Sequence, residues 1–174
     1  ECSNLMQTIM TLSQPVIAEV SGIAAAAGCQ LVASCDLAVA SEQSSFMTPG
    51  VNIGLFCSTP MVAVSRNISR KKIMEMLLTG EKLNADDAVQ YGLINHSVPL
   101  EQLHDKTMQL AKLIASKPVS TVKIGKEAFY RQVEMPINEA YNYTSEVMTT
   151  NMMEIDAHEG ISAFLDKRHP NWND

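Results

Sequence analysis

The chain has 174 residues, 46% of them hydrophobic, which is enough to bury the core of one domain, alone or with a helical extension, and excludes a disordered chain. The formal net charge is −6, and the 13 Lys and Arg are scattered except at residues 69–72 and 166–169. That balance argues against the basic face a nucleic acid needs and leaves room for a small anionic ligand held by a few local cations.

No run approaches the roughly 18 apolar residues of a membrane span. The opening ECSNLMQTIMTLSQ has neither a basic stretch nor a cleavage signature, so a soluble intracellular protein with no membrane partner is expected. The chain begins without Met, in what reads as a helix, as a processed N-terminus or a fragment would. That helix is stopped before Pro15, and residues 16–20 read as a short buried strand ending in a turn at Ser21 and Gly22. AAAAGCQLVASC is Ala-rich with apolar residues at helical spacing, which starts a helix near residues 26–28. DLAVAS from Asp36 is the next strand, and Pro49, Gly50 and Gly54 set turns after it. Strand, helix and strand within such a short span make the compact crossover of a parallel sheet.

From Thr59 onward the pattern is helical. PMVAVSRNIS and RKKIMEMLLTG carry apolar residues at i, i+3 and i+4, with Gly80 as a stop, and NADDAVQYG is a short helix between an Asn84 N-cap and Gly92. LINHSVP is a strand closed by Pro99. Two amphipathic helices, a long one over INEAYNYTSEVMTTNMMEI and a tail DAHEGISAFLDKRHPNW follow, with 11 Met whose faces suit either core or subunit packing. The four cysteines, Cys2, Cys29, Cys35 and Cys57, lack metal or redox spacing and read as reduced, buried small residues. No ligand cluster suggests a metal or redox cofactor.

If a helix opens at Ala26, Ala27 and Gly28 after a tight turn, its first amides have no intrahelical acceptor and no bulky cover. Such amides can hold the charge that develops on a thioester carbonyl, worth roughly 3 to 4 kcal/mol per donor. Small residues there are equally consistent with a helix packed closely on a sheet.

PVIAEVSGIAAAAGCQLVASCDLAVASEQSSFMTPGVNIGL resembles the signature of the enoyl-CoA hydratase/isomerase (crotonase) superfamily, P-V-I-A-x-V-x-G-x-A-x-G-x-G-x-x-L-x-x-x-C-D-x-x-x-A. EMLLTGEKLNADDAVQYGLINHSVP and EGISAFLDKRHPNW extend the match over nearly the whole chain. The resemblance implies an α/β, crotonase-like ββα spiral, of which residues 1–60 form the C-terminal part, then an α-helical region over residues 61–174 for trimerisation and CoA contact. It implies acyl-CoA as ligand or substrate, no separate cofactor, and a homotrimer or a dimer of trimers. It further implies a lyase of fatty-acid metabolism, in the mitochondrial matrix of a eukaryote or the cytoplasm of a bacterium.

By the same resemblance, the backbone N–H of Ala27 is one oxyanion-hole donor, where family members mostly read Gly, and Ala25, Gly28 and Ser58 flank the ligand. The other donor comes from an N-terminal half that this chain does not include. Family hydratases use two glutamates to activate water and protonate the α-carbon, at positions matched here by Gln30 and Gly50. Glutamine can orient a water but not take its proton, and glycine can do neither. No carboxylate lies between Glu42 and Glu75. An aspartate used by some isomerases is matched by Ser58. Cys57 or Ser58 as a nucleophile lacks a neighbouring His in sequence and reads rather as buried or loop-capping. His96, His104, His158 and His169 read as surface or capping residues.

The tail resembles the segment whose aromatic and Lys meet the adenine and 3′-phosphate of CoA from a neighbouring subunit, here Phe164 and Lys167, against the alternative of a hydrophobic helix end with solvated cations. Two functions stand: an enoyl-CoA hydratase or isomerase that stabilises a thioester enolate, with both glutamate positions replaced, and a non-catalytic acyl-CoA-binding or regulatory subunit.

Overall fold

The computed structural model describes residues 1–172. The first compact unit comprises Glu1–Leu12 and Val16–Ala111. It opens with helix α1 (Cys2–Thr11), followed by strands β1 (Ile17–Val20) and β2 (Ile23–Ala25) and helix α2 (Ala27–Ser34). Strands β3 (Leu37–Ser41) and β4 (Ser45–Met47) then repeat the strand pair. β1 pairs in parallel with β3, Ile17 opposite Leu37, and β2 pairs in parallel with β4, Ile23 opposite Ser45. The chain therefore lays one strand in each of two sheets, crosses by α2 and lays the next pair beside the first, which is one turn of the ββα spiral.

Asp36 and Asn95 fix where the first sheet starts. Asp36 Oδ2 accepts the Val16 N–H at 2.6 Å and Asn95 Oδ1 accepts the Ala38 N–H at 2.8 Å, satisfying donors that the strand ladder leaves over. A 3-10 helix (Pro49–Ile53) and helices α3 (Pro60–Val64), α4 (Arg70–Thr79) and α5 (Ala85–Tyr91) follow. The last two start and stop where their capping residues place them. Ser69 accepts the Lys72 N–H and Asn84 accepts the Asp87 N–H, while Gly80 and Gly92 end the helices at φ 68° and 85°. β5 (Leu83–Asn84) runs antiparallel to β4, and β6 (His96–Val98) runs parallel to β3. The core gathers Cys29, Phe46, Val64, Met76, Leu83 and Ala88.

The short strands β2 and β5, like their partner β4, do not follow from the sequence pattern. With three and two residues, they are too short to show a period of two, and only their partner β4 makes them strands.

The second unit comprises Ser13–Pro15 and the chain from Lys112 on. Helix α6 (Leu103–Ala115) leads to α7 (Val119–Gln132), α8 (Ile137–Met152) and α9 (Ile155–Leu165). The buried residues of the last three helices are small or polar, Ala128, Ala140, Asp156 and Ala163, whereas Ile137, Tyr141, Met148 and Ile155 are exposed. Most of the methionines of these helices belong to outward faces.

Candidate functional site

At the end of β2 the chain turns into α2 through Ala26, whose φ is 47° and ψ −111°. Two hydrogen bonds impose that conformation: the Ala26 N–H donates to Met47 O at 2.9 Å, and its carbonyl accepts the Gln30 N–H at 3.0 Å. Alanine is strained at such a φ, by about 1–3 kcal/mol, and the family signature has glycine there. No side chain caps α2, Ala27 is exposed, and a Cβ added to Gly28 would meet nothing within 4 Å. The first-turn amides of Ala27 and Gly28 thus sit at an open, positive helix end. Ala25, at the end of β2, pairs with Met47. The turn that exposes the amides is therefore tied directly to the strand leading into residues 48–50.

Gln30 lies one helical turn beyond Ala27 and is 4% exposed, with Oε1 buried and unpartnered among the described residues. Gly50 occupies the 3-10 helix. Its N–H donates to Cys57 Sγ at 3.3 Å and its carbonyl accepts the Leu55 N–H at 3.0 Å. A Cβ at residue 50 would sit 3.0 Å from Cys57 Sγ and 3.1 Å from Leu55 O, so returning segment 55–57 fills the space where a side chain would start. Gly54, at φ 76°, makes the turn that brings that segment back. Sequence reasoning missed this seat of Cys57 against Gly50, because no local pattern links residues seven apart across an irregular turn. It also missed the strain at Ala26, for which the departure from the signature's glycine was a legible signal.

Cys29 is fully buried, and burial pushes its thiol up to about 12 against a Met47 N–H that favours the thiolate. Cys57 is buried too, Cys35 half-buried and Cys2 exposed, and all four are in the thiol form. The expectation of burial therefore fails for Cys2, which sits exposed on the first turn of α1. Ser58 is exposed, its Oγ making only a 3.4 Å contact to Phe56 O. Among the histidines, His104 Nδ1 lies 3.3 Å from Glu19 Oε2, His158 and His169 are exposed, and the half-buried His96 is lowered by burial and then by Lys106. No group of three or more His, Cys, Asp or Glu arranged to hold a metal occurs among the described residues.

The tail residues belong to the second unit. Phe164 is 83% exposed. Lys167 has φ 54° and ends α9 in a Schellman turn, its own N–H reaching Phe164 O at 3.3 Å and that of Arg168 reaching Ala163 O at 3.0 Å. Glycine is the usual residue at that position, and the lysine in it is a second strained point, here at a residue itself expected to meet ligand.

Comparisons with known proteins give the family and the fold. The family model for enoyl-CoA hydratase/isomerase matches residues 1–174, and the chain belongs to that family, with the crotonase fold. It is 52% identical over 171 residues to the mitochondrial enoyl-CoA hydratase domain-containing protein 3 of Xenopus laevis, covering 98% of this chain and 58% of that relative. The human protein of the same name is 52% identical over 172 residues, covering 99% of this chain and 57% of it. The chain thus spans well under two thirds of these relatives. In structure it superposes on the Mycobacterium smegmatis enoyl-CoA hydratase with a TM-score of 0.98 at 51% identity, covering 99% of this chain and 67% of that one. The human domain-containing protein 3 gives a TM-score of 0.96 at 51% identity, over 98% of this chain and 68% of that one. No helix among the described residues is long and apolar enough to cross a membrane.

Proposed function

We propose that the chain is the acyl-CoA-binding part of an enoyl-CoA hydratase/isomerase-family protein that stabilises a thioester enolate through the Ala27 amide and lacks both hydratase carboxylates. The observation that carries this reading is the Ala26 turn, held by Met47 and Gln30 so that the Ala27 N–H stands uncapped and exposed at the start of α2. Ala25, Gly28 and Ser58 flank the thioester in this reading, and Phe164 and Lys167 meet the adenine and 3′-phosphate of the CoA held by a neighbouring subunit. A lysine beside a phosphate is favoured by simple charge pairing.

A second reading, an acyl-CoA-binding or regulatory subunit without turnover, draws support from Gly50. Not only is the carboxylate missing there, its space is taken by Cys57 and Leu55. The large exposed side chains of α8 and α9, Ile137, Tyr141, Met148 and Phe164, support a homotrimer or dimer of trimers. The mitochondrial names of the relatives support the matrix as the compartment.

Titrating the full-length protein with acetyl-CoA and crotonyl-CoA while following the enoyl absorbance tests the proposal. Binding without loss of absorbance is the expected result. Binding with rapid loss means a working hydratase and overturns the roles given to Gln30 and Gly50. Absence of binding overturns the acyl-CoA reading itself.

A further inference from the structure

We infer that Glu159 is a positioning residue for the 3′-phosphate end of CoA, acting through Arg168 to hold Lys167 in its left-handed conformation. The inference rests on the reading of Lys167 given above.

Three of the five residues after Lys167, namely Arg168, Asn171 and Trp172, are tied down. Arg168 forks onto Glu159, Nη1 to Oε1 at 2.6 Å and Nη2 to Oε2 at 2.9 Å, and the same carboxylate accepts the Asn171 N–H at 2.7 Å. Trp172 Nε1 donates to Ser116 O at 3.0 Å, and its ring lies against Gly160, where a Cβ would meet it at 3.3 Å. A glycine inside a helix is unfavourable, and at Gly160 it leaves the ring room to close down on α9.

These ties explain how a lysine is kept where the backbone prefers glycine. The Schellman turn alone supplies two backbone bonds, whereas the planar guanidinium of the next residue fits a carboxylate in one orientation only and so fixes the direction in which the chain leaves the turn. The clasp also sorts the cations of the tail. Arg168 is consumed by Glu159, with Asp166 at 3.5 Å, while no carboxylate is paired with Lys167 among the described residues. Of these two neighbouring cations, one builds the turn and the other is left for an anion.

The experiment compares CoA with dephospho-CoA, which lacks only the 3′-phosphate, as ligands of the full-length protein. Wild type is expected to prefer CoA by about tenfold, as one charge-assisted contact provides, and Lys167→Ala to lose the preference. Glu159→Gln is expected to lose most of the preference while its affinity for dephospho-CoA stays within about twofold of wild type. A wild type without preference overturns the reading of Lys167. A wild type with preference, lost in Lys167→Ala but kept in Glu159→Gln, overturns the positioning role and leaves Lys167 standing. Equal loss for both ligands in Glu159→Gln marks a merely structural carboxylate and also overturns the role. Trp172→Phe, which keeps the ring and removes the bond to Ser116, is the milder second variant: partial loss of preference is expected, and full retention counts against the clasp.

Discussion

Cys57 Sγ stands 3.3 Å from the Gly50 nitrogen and takes its N–H, at the point where a side chain on residue 50 would begin. The space a side chain on residue 50 would need is therefore closed by the packing of the loop.

Restoring carboxylates has an asymmetric cost for that reason. Gly50→Glu must push back both a sulfur and the Leu55 carbonyl, and its unfolding free energy is expected to fall by about 1–3 kcal/mol, read from a denaturant midpoint. If segment 55–57 yields, Gln30→Glu with Gly50→Glu in the full-length protein should raise crotonyl-CoA hydration on the order of 10²-fold, as acid–base groups do. A double variant that binds acyl-CoA normally and stays silent would show that loss of these groups is not what disables hydration.

Ala26 carries the opposite kind of cost. At φ 47° a glycine is relaxed where alanine is strained, and Ala26→Gly is expected to stabilise the protein by about 1 kcal/mol after the extra freedom glycine gives the unfolded chain. Thermal unfolding checks this: an unchanged or lower Tm would mean that the two hydrogen bonds do not hold the alanine under strain.

Lys167→Gly separates stability from binding. Glycine suits the left-handed end of α9, so about 1 kcal/mol of stabilisation is expected. If the lysine meets the 3′-phosphate, CoA affinity should fall in the same variant. A gain in Tm with unchanged affinity would assign Lys167 to the helix end alone.

The clasp has a pH signature. The Arg168 guanidinium, then the Asn171 N–H, hold the Glu159 carboxyl down to about 2 from an ordinary 4.5. A depressed carboxylate pKa contributes stability that is present above the unfolded value and lost as pH falls through the folded one. The window is therefore about pH 4.5 to about pH 2. Trp172 is the only tryptophan, so its fluorescence reports the tail directly. A transition in that window, absent in Glu159→Gln, is expected; an identical acid titration in the variant would detach Trp172 from Glu159.

Most of the helices and their ends were legible in the sequence because the devices that set them are local. Asn84, Gly80 and Gly92 cap within one turn, and the parallel β1 and β3 follow from strand, helix and strand in quick succession. The family could be read because Gly22, Gly28, Cys35 and Asp36 keep their spacing along the chain. The residues of the shelf, Ala25, Ala27, Gly28 and Gln30, were legible for the same reason, being neighbours on one strand-to-helix turn.

What only the tertiary structure decided is what depends on contacts between distant segments. β2 and β5 exist because β4 supplies their hydrogen bonds. The strain at Ala26 exists because Met47 holds its N–H, and the space at Gly50 is closed because Gly54 turns Cys57 back onto it. The pairing of Glu159 with Arg168 needs the chain reversal at Lys167, which no helical spacing foretells. Sequence by itself determined the family and the caps, since those reside in residue identity and spacing. Packing alone determined which of the remaining groups are strained, covered or already paired, since those properties arise only when separate segments meet.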